Sequence, residues 1–200
     1  MRPLHSRKRR ATLSDARRFA KNGVGSEMRA EDYLSDSERY KLVQEAAGQL
    51  QEITKRHFPR TGILEYAVLK AHLIIEFALT QFIRCASHVL VDPDDQRFSF
   101  AQKLEIAVML GFAVGCDTTV PSIELLNRIR NQAVHRFQID RVLVDELIRI
   151  NSEDLGTAPL TDRHRISCLR YLCCAICNRA AGELQAAIVF TSRNWGRTHA

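Results

Sequence analysis

Apolar residues recur every three to four positions along most of the chain between residues 36 and 190, and no segment alternates as a β-strand does. Turn and cap signals divide this stretch into six amphipathic segments. The predicted helices span residues 36–57, 62–91, 103–114, 121–137, 141–151 and 162–190. Six helices with short connections predict an all-α fold, an up-and-down helical bundle that is mostly antiparallel between sequence neighbours.

Polar residues and prolines mark the ends of these helices. The predicted N-caps are Ser35, Ser99, Asp140 and Thr161, and Glu38 and Gln102 complete capping boxes after the first two. Pro59 is predicted to end the first helix, and the Asp-Pro-Asp-Asp sequence at 92–95 to end the second. Pro121 sits where a helix accepts proline, in the first turn of the fourth helix.

The second predicted helix carries two apolar stripes. The main stripe contains Ile63, Ala67, Ala71, Ile74, Ala78, Phe82, Cys85 and Val89, with Leu64, Val68, Ile75 and Leu79 beside it. The second stripe contains Tyr66, Leu69, Leu73 and Phe77, on the opposite side. A helix that is apolar on two sides is either central in the bundle or covered by another subunit.

Length and composition indicate one domain. A chain of 200 residues with 46% apolar side chains can bury one substantial core. Residues 1–30 hold nine Lys or Arg against two acidic residues, which is +7, and leave 20 basic against 21 acidic residues in the rest. We therefore predict a basic, disordered tail over 1–34, a helical domain over 35–190 and a C-terminal tail over 191–200.

The basic tail has more than one interpretation. Its densest run, Arg7, Lys8, Arg9 and Arg10, would add phosphate contacts and salt-sensitive affinity if the protein binds RNA. The favoured interpretation is a disordered, solubilising extension, or residues upstream of a true start at Met28.

The cysteines and the hydropathy profile predict a cytoplasmic protein without a metal or other cofactor. Six irregularly spaced cysteines in a chain of this size indicate free thiols in a reducing compartment. Cys174 and Cys177 have metal-ligand spacing, but no second pair exists, and Cys173 and Cys177 share a face with core residues, so core packing is favoured. No signal peptide or membrane-spanning segment is expected.

The fourth helix gathers the candidate chemistry. Its predicted apolar face contains Ile123, Leu126, Ala133, Val134 and Phe137, with Arg130 in the middle. Burying an unpaired guanidinium costs several kcal/mol, so Arg130 needs a carboxylate, acceptors or a solvated cleft. Asn127, Asn131 and His135 form a polar stripe alongside. Such a set suits phosphodiester cleavage: a neutral His moves the proton of a ribose 2′-hydroxyl, and Arg stabilises the charge on the phosphate.

The segment 125–135, Leu-Leu-Asn-Arg-Ile-Arg-Asn-Gln-Ala-Val-His, resembles the signature of the HEPN superfamily, and residues 98–106 resemble the short helix that precedes it in many members. The resemblance is to a ribonuclease-toxin-like or mannitol-repressor-like member. It implies a helical bundle, a homodimer that shares two Arg/His motifs, and a metal-independent endoribonuclease acting as a toxin or defence effector. It also admits a non-catalytic regulatory or interaction protein in which the motif is structural.

The resemblance assigns roles to particular residues. His135 would act as general base or acid, Arg130 would hold the scissile phosphate and Asn131 would position it. Asn127 is expected to support the site and Arg128 to contact RNA. An antitoxin or regulatory protein is an expected partner. In one toxin subgroup the antitoxin modifies a tyrosine two residues after the histidine, and Phe137 stands at that position here.

Glu76 is the predicted carboxylate partner of Arg130. Together with Glu65 and His72, it occupies a polar wedge between the two stripes of the second helix. A solvated edge is the alternative interpretation of this wedge.

Overall fold

The computed structural model describes residues 35–87, 93–94, 96–136, 138–151 and 160–198, with side chains for all of these except 135–136 and 189–198. Within these ranges the chain forms six helices and no strand. They are α1 (Asp36–His57), α2 (Leu64–Ala86), α3 (Phe100–Met109), α4 (Thr119–Arg136), α5 (Arg141–Ile150) and α6 (Asp162–Thr198). The predicted all-α bundle is confirmed. The predicted tail over 1–34 lies outside the described residues.

Helix α2 is the centre of the core. It packs against α1, α3, α4 and α6, whereas the main contacts of α5 are with α4 and α6. Its predicted main stripe is buried from Ala67 to Cys85, with Ala67, Val68 and Ile75 fully enclosed. Ile63, at the start of the stripe, is 60% exposed, and Val89 lies outside the described residues. By length and composition alone α2 would also suffice to cross a membrane, and 67% of its most apolar window is buried inside the bundle.

The predicted capping residues begin their helices. The Ser35 hydroxyl accepts a hydrogen bond from the backbone N–H of Glu38, and the Glu38 carboxylate accepts one from the N–H of Ser35 at 2.9 Å. Ser99 and Gln102 form the same reciprocal pair. The Asp140 carboxylate caps α5. These side chains satisfy backbone donors that have no partner within the helix.

Helix α3 differs from its prediction, because it begins at Phe100 and ends at Met109 rather than spanning 103–114. Gly111, with φ +98°, takes the left-handed conformation after the helix, and the N–H of Phe112 bonds the carbonyl of Ala107 at 2.9 Å. This is a Schellman ending. The following residues are apolar because Phe112 is buried edge-on against Phe82, not because the helix continues.

Other helix boundaries also differ from the predicted ones. Helix α2 ends at Ala86, with Ser87 extended, rather than at residue 91. Helix α4 begins at Thr119, so Pro121 is its third residue rather than its first. Helix α6 continues to Thr198, through most of the predicted C-terminal tail.

A network of charges joins α5 to α6. Arg165 is 7% exposed, and its guanidinium donates two hydrogen bonds to the Asp145 carboxylate, at 2.7 and 2.8 Å. A third bond reaches Asp162 at 2.8 Å, and Asp162 also accepts two bonds from Arg141. All three hydrogen bonds of this nearly buried guanidinium are made to carboxylates. Their negative charge compensates the cost of burying Arg165.

Candidate functional site at the junction of α2, α3 and α4

The buried face of α4 is rotated from the predicted one. Ile123 and Leu126 are fully buried as predicted, but so is Ile129, whereas Val134 is 47% exposed. Helix α4 packs against α2, α3 and α5, so it is covered on more than one side. Arg130 consequently lies at the edge of the apolar face and is half-buried.

Arg130 and Asn131 are in direct contact. Nη1 of Arg130 donates a hydrogen bond to Oδ1 of Asn131 at 3.0 Å. Among the described residues, Arg130 forms no ion pair with a carboxylate. A half-exposed guanidinium can be solvated in part, so it does not need the buried counter-charge that a fully enclosed one would.

The predicted pairing of Glu76 with Arg130 is not made within the chain. Glu76 instead accepts a hydrogen bond from Nζ of Lys103 at 3.2 Å, and Asp94 accepts another from the same Nζ at 3.0 Å. Lys103 is only 6% exposed. Burial lowers the pKa of Lys103, but the bonds to Asp94 and Glu76 outweigh it, so its pKa is raised and it stays charged. The wedge carboxylate thus compensates a buried lysine.

His72 is the functional candidate that sequence reasoning passed over. It is 4% exposed, its ring stacks on Phe100 with centroids 4.1 Å apart, and its Nε2 lies 3.2 Å from Oδ1 of Asn127. Burial lowers the pKa of His72, which outweighs the Asn127 bond and Glu76, and the charge of Arg130 lowers it further. Burial thus favours the neutral form of His72, and because Oδ1 of Asn127 can only accept, Nε2–H of His72 is the donor in this contact. The sequence feature that could have identified His72 is its position in the polar wedge between the two apolar stripes of α2.

The hydrogen bond from His72 fixes the orientation of the Asn127 side-chain amide. With Oδ1 held by His72, the Asn127 amide nitrogen makes no other hydrogen bond among the described residues and is a donor beside Arg130 and Asn131. The structure thus brings His72, Asn127, Arg130 and Asn131 to one junction. His135 lies on α4, one turn beyond Asn131, and its side chain is outside the described residues.

The predicted RNA contacts outside this junction have different outcomes. Arg128 is exposed and lies 3.8 Å from Glu146, a distance at which a surface pair contributes little. The run Arg7, Lys8, Arg9 and Arg10 lies outside the described residues.

Two cysteines of α6, which were predicted to pack in the core, do so. Cys173 and Cys177 are buried, and Cys173 donates weakly to the carbonyl of Ala71. Burial raises the pKa of Cys177 to about 12. In the part of the chain that the structure describes, no group of three or more His, Cys, Asp or Glu residues is arranged to hold a metal ion.

Cys116 differs from the other thiols. It lies ahead of α4, where the Thr119 hydroxyl donates to its sulfur at 3.0 Å and Thr118 lies 3.6 Å away. These two bonds lower the pKa of Cys116 to about 7. A larger fraction of Cys116 than of an ordinary thiol is therefore thiolate near neutral pH.

We expect iodoacetamide to alkylate Cys116 before any other described cysteine, with a rate that rises through pH ~7. Mass spectrometry of timed digests measures the order. Replacing Thr119 with valine should move the midpoint of the rate profile upward. Faster labelling of Cys168, whose pKa burial raises, would contradict this prediction.

Comparison with protein-family models, with curated proteins and with solved structures finds no match to this chain. The HEPN resemblance of the Arg130–His135 segment therefore stays a prediction.

Proposed function

We propose that this protein is a metal-independent endoribonuclease that cleaves RNA with Arg130 and His135. The observation that carries the proposal is the state of Arg130. Its guanidinium is half-buried, contacts the Asn131 amide, and makes no ion pair with a carboxylate of the described chain. A fixed but uncompensated arginine suits a phosphate better than it suits a structural ion pair.

The proposed reaction is an internal transfer at phosphorus. The 2′-oxygen of a ribose attacks the adjacent phosphate, the bond to the 5′-oxygen of the next nucleotide breaks, and the products carry a 2′,3′-cyclic phosphate and a 5′-hydroxyl. His135 accepts the 2′-hydroxyl proton or gives a proton to the leaving oxygen. Arg130 stabilises the charge that develops on the non-bridging oxygens. The reaction consumes no cofactor.

A homodimer follows from the same proposal. Arg130 and His135 lie five residues apart, which is about 140° around an ideal helix, so one copy does not readily direct both groups at one phosphate. A second copy would supply the missing group. Neighbouring donors from Asn127, held by His72, and from Asn131 would position the RNA backbone in the shared cleft.

Cleavage in the absence of metal tests the proposal. Wild-type protein in EDTA should cut a panel of single-stranded and structured RNAs and leave 2′,3′-cyclic phosphate ends, detected by their resistance to ligation and by mass spectrometry. The His135→Ala protein, purified identically, should not. Equal activity in the two preparations would mean that a contaminating nuclease is responsible, and no cleavage by wild type on any RNA would reject the proposal.

A non-catalytic regulatory or interaction protein is the second candidate. It is favoured by the second stripe of α2, whose Tyr66 and Leu73 are 45% and 55% exposed. Exposed apolar residues in a row commonly mark contact surfaces. If the motif were purely structural, Arg130 would be expected to pair with a carboxylate. No carboxylate among the described residues forms an ion pair with it.

A further inference from the structure

An open groove of about 630 Å³ runs between α1 and α2. Its apolar floor consists of Ile53, Ile74 and Phe77, and Leu73 stands at its edge, 55% exposed. Gly48 forms part of the wall, and an added Cβ there would meet nothing within 4 Å. A glycine inside a helix costs stability relative to alanine, and nothing in the packing of this chain requires one here. The groove is therefore open at Gly48.

The charges around the groove are unbalanced. Three basic residues line it, Arg56, His57 and Lys70. Among the described residues none of them forms an ion pair. The one acid in the lining, Glu52, already accepts a hydrogen bond from Lys55 at 2.8 Å, outside the groove.

The basic residues lie at one end. Helices α1 and α2 are joined by residues 58–63 and pack side by side, so the last turn of α1 lies level with the first turns of α2. Nζ of Lys70 lies 5.8 Å from the ring centroid of Tyr66, which is nearer to this connection. Gly48 and Phe77 lie toward the other end, where the lining is apolar.

We propose that this groove binds a short amphipathic helix of a partner protein whose apolar side is bordered by acidic residues. The lining from Gly48 to His57 extends about 14 Å along α1, which matches two to three turns of a helix. Leu73 and Phe77 lie one turn apart and would receive apolar residues spaced three or four apart. Arg56 and Lys70 would meet the acidic border.

The basic charge of the groove favours an acidic partner helix over the N-terminal segment of the same chain as the occupant. Residues 1–30 carry nine Lys or Arg against two acidic residues, so this segment would bring like charge to the basic end of the groove. The groove proposal does not depend on RNA cleavage, because none of its lining residues belongs to the junction of α2, α3 and α4 described above.

Two synthetic helical peptides test the proposal with the full chain. Both carry leucines at the same helical spacing, and one has glutamates beside them where the other has lysines. Fluorescence anisotropy should show the glutamate peptide binding about tenfold or more tightly than the lysine peptide, with a difference that shrinks in salt. Leu73→Asp should weaken binding about tenfold or more by removing the apolar edge. Leu73 is exposed enough for this variant to fold, which circular dichroism checks.

Charge reversal makes the test specific. The Arg56→Glu/Lys70→Glu protein should reverse the order of the two peptides. The matched control, Arg163→Glu/Arg170→Glu, changes two exposed arginines of α6 and should leave the order unchanged.

Four outcomes would overturn the proposal. They are equal binding of the two peptides, binding of neither, saturation by dodecanoate without peptide binding, and a dimer in sedimentation velocity that Leu73→Asp dissociates. The third would assign the groove to a small anionic amphiphile, and the fourth to a second copy of this chain.

Discussion

Replacing Arg130 with alanine should lower the rate of RNA cleavage by about 10²–10³-fold, the effect of removing one group that stabilises developing charge. The fold should be little affected, because Arg130 is half-buried and makes no carboxylate pair in the described chain. A melting temperature within about 2 °C of wild type is expected for such a change. Arg130→Lys should recover only part of the rate, since an ammonium lacks the planar fork.

Single-turnover cleavage and thermal unfolding, measured on the same preparations, check this prediction. Arg149→Ala is the matched control, because Arg149 is an exposed arginine of α5 away from the junction. A large fall in melting temperature for Arg130→Ala would favour the structural interpretation of the motif. Full activity in a folded Arg130→Ala protein would exclude Arg130 from catalysis.

The parts of the fold that the sequence predicted well depend on local chemistry. Ser35 and Ser99 precede Glu38 and Gln102 at the capping-box spacing, and such bonds form between residues three apart regardless of the rest of the chain. For α2 the two apolar stripes predicted a helix that is either central in the bundle or covered by another subunit. The structure places α2 against four other helices, but leaves Tyr66 and Leu73 of its second stripe exposed.

The end of α3 could not be predicted with the same certainty. Residues 106–116 form a nearly continuous apolar run, which is compatible with helix or with a buried turn. The glycine at 111 was visible, but its left-handed conformation is fixed by the burial of Phe112 against Phe82. That contact joins residues far apart in sequence, and local periodicity contains no information about it.

In the candidate site, too, local features could be predicted from the sequence and tertiary contacts could not. The spacing of Asn127, Arg130 and Asn131 on one helix is a local property, and the hydrogen bond between Arg130 and Asn131 joins neighbours in sequence. The partners of Glu76 and His72 depend on which helices pack together. Glu76 meets Lys103 because α3, rather than α4, lies against that part of α2. A helical wheel gives the direction of a side chain but not the neighbour it meets.

Replacing Arg165 with methionine should destabilise the protein by about 3–5 kcal/mol, the usual cost of removing one partner from a buried ion pair. Asp145 would lose both of its hydrogen bonds from Arg165 while its side chain remains only 14% exposed. In a chain of this size the melting temperature should fall by about 10 °C. Urea unfolding measures the free energy directly.

Two variants separate the charge effect from lost packing. Arg163→Met, at an exposed position two residues away, should change the stability little. Arg165→Met/Asp145→Leu removes both partners and should recover much of the loss, because no uncompensated buried carboxylate is left. A loss below about 1 kcal/mol for Arg165→Met alone would mean that Asp145 remains solvated without its partner.

The same network predicts how stability depends on acid. The two bonds from Arg141, and then the one from Arg165, hold the pKa of Asp162 at about 2, below its ordinary value of 3.8. The folded state thus favours the charged carboxylate, so this contribution is complete above pH ~4 and is lost as the pH falls toward ~2. Arg141→Ala should raise the pKa of Asp162 and shift this loss to higher pH. Urea midpoints measured between pH ~2 and ~5 would be parallel for the two proteins if Asp162 were not coupled to Arg141.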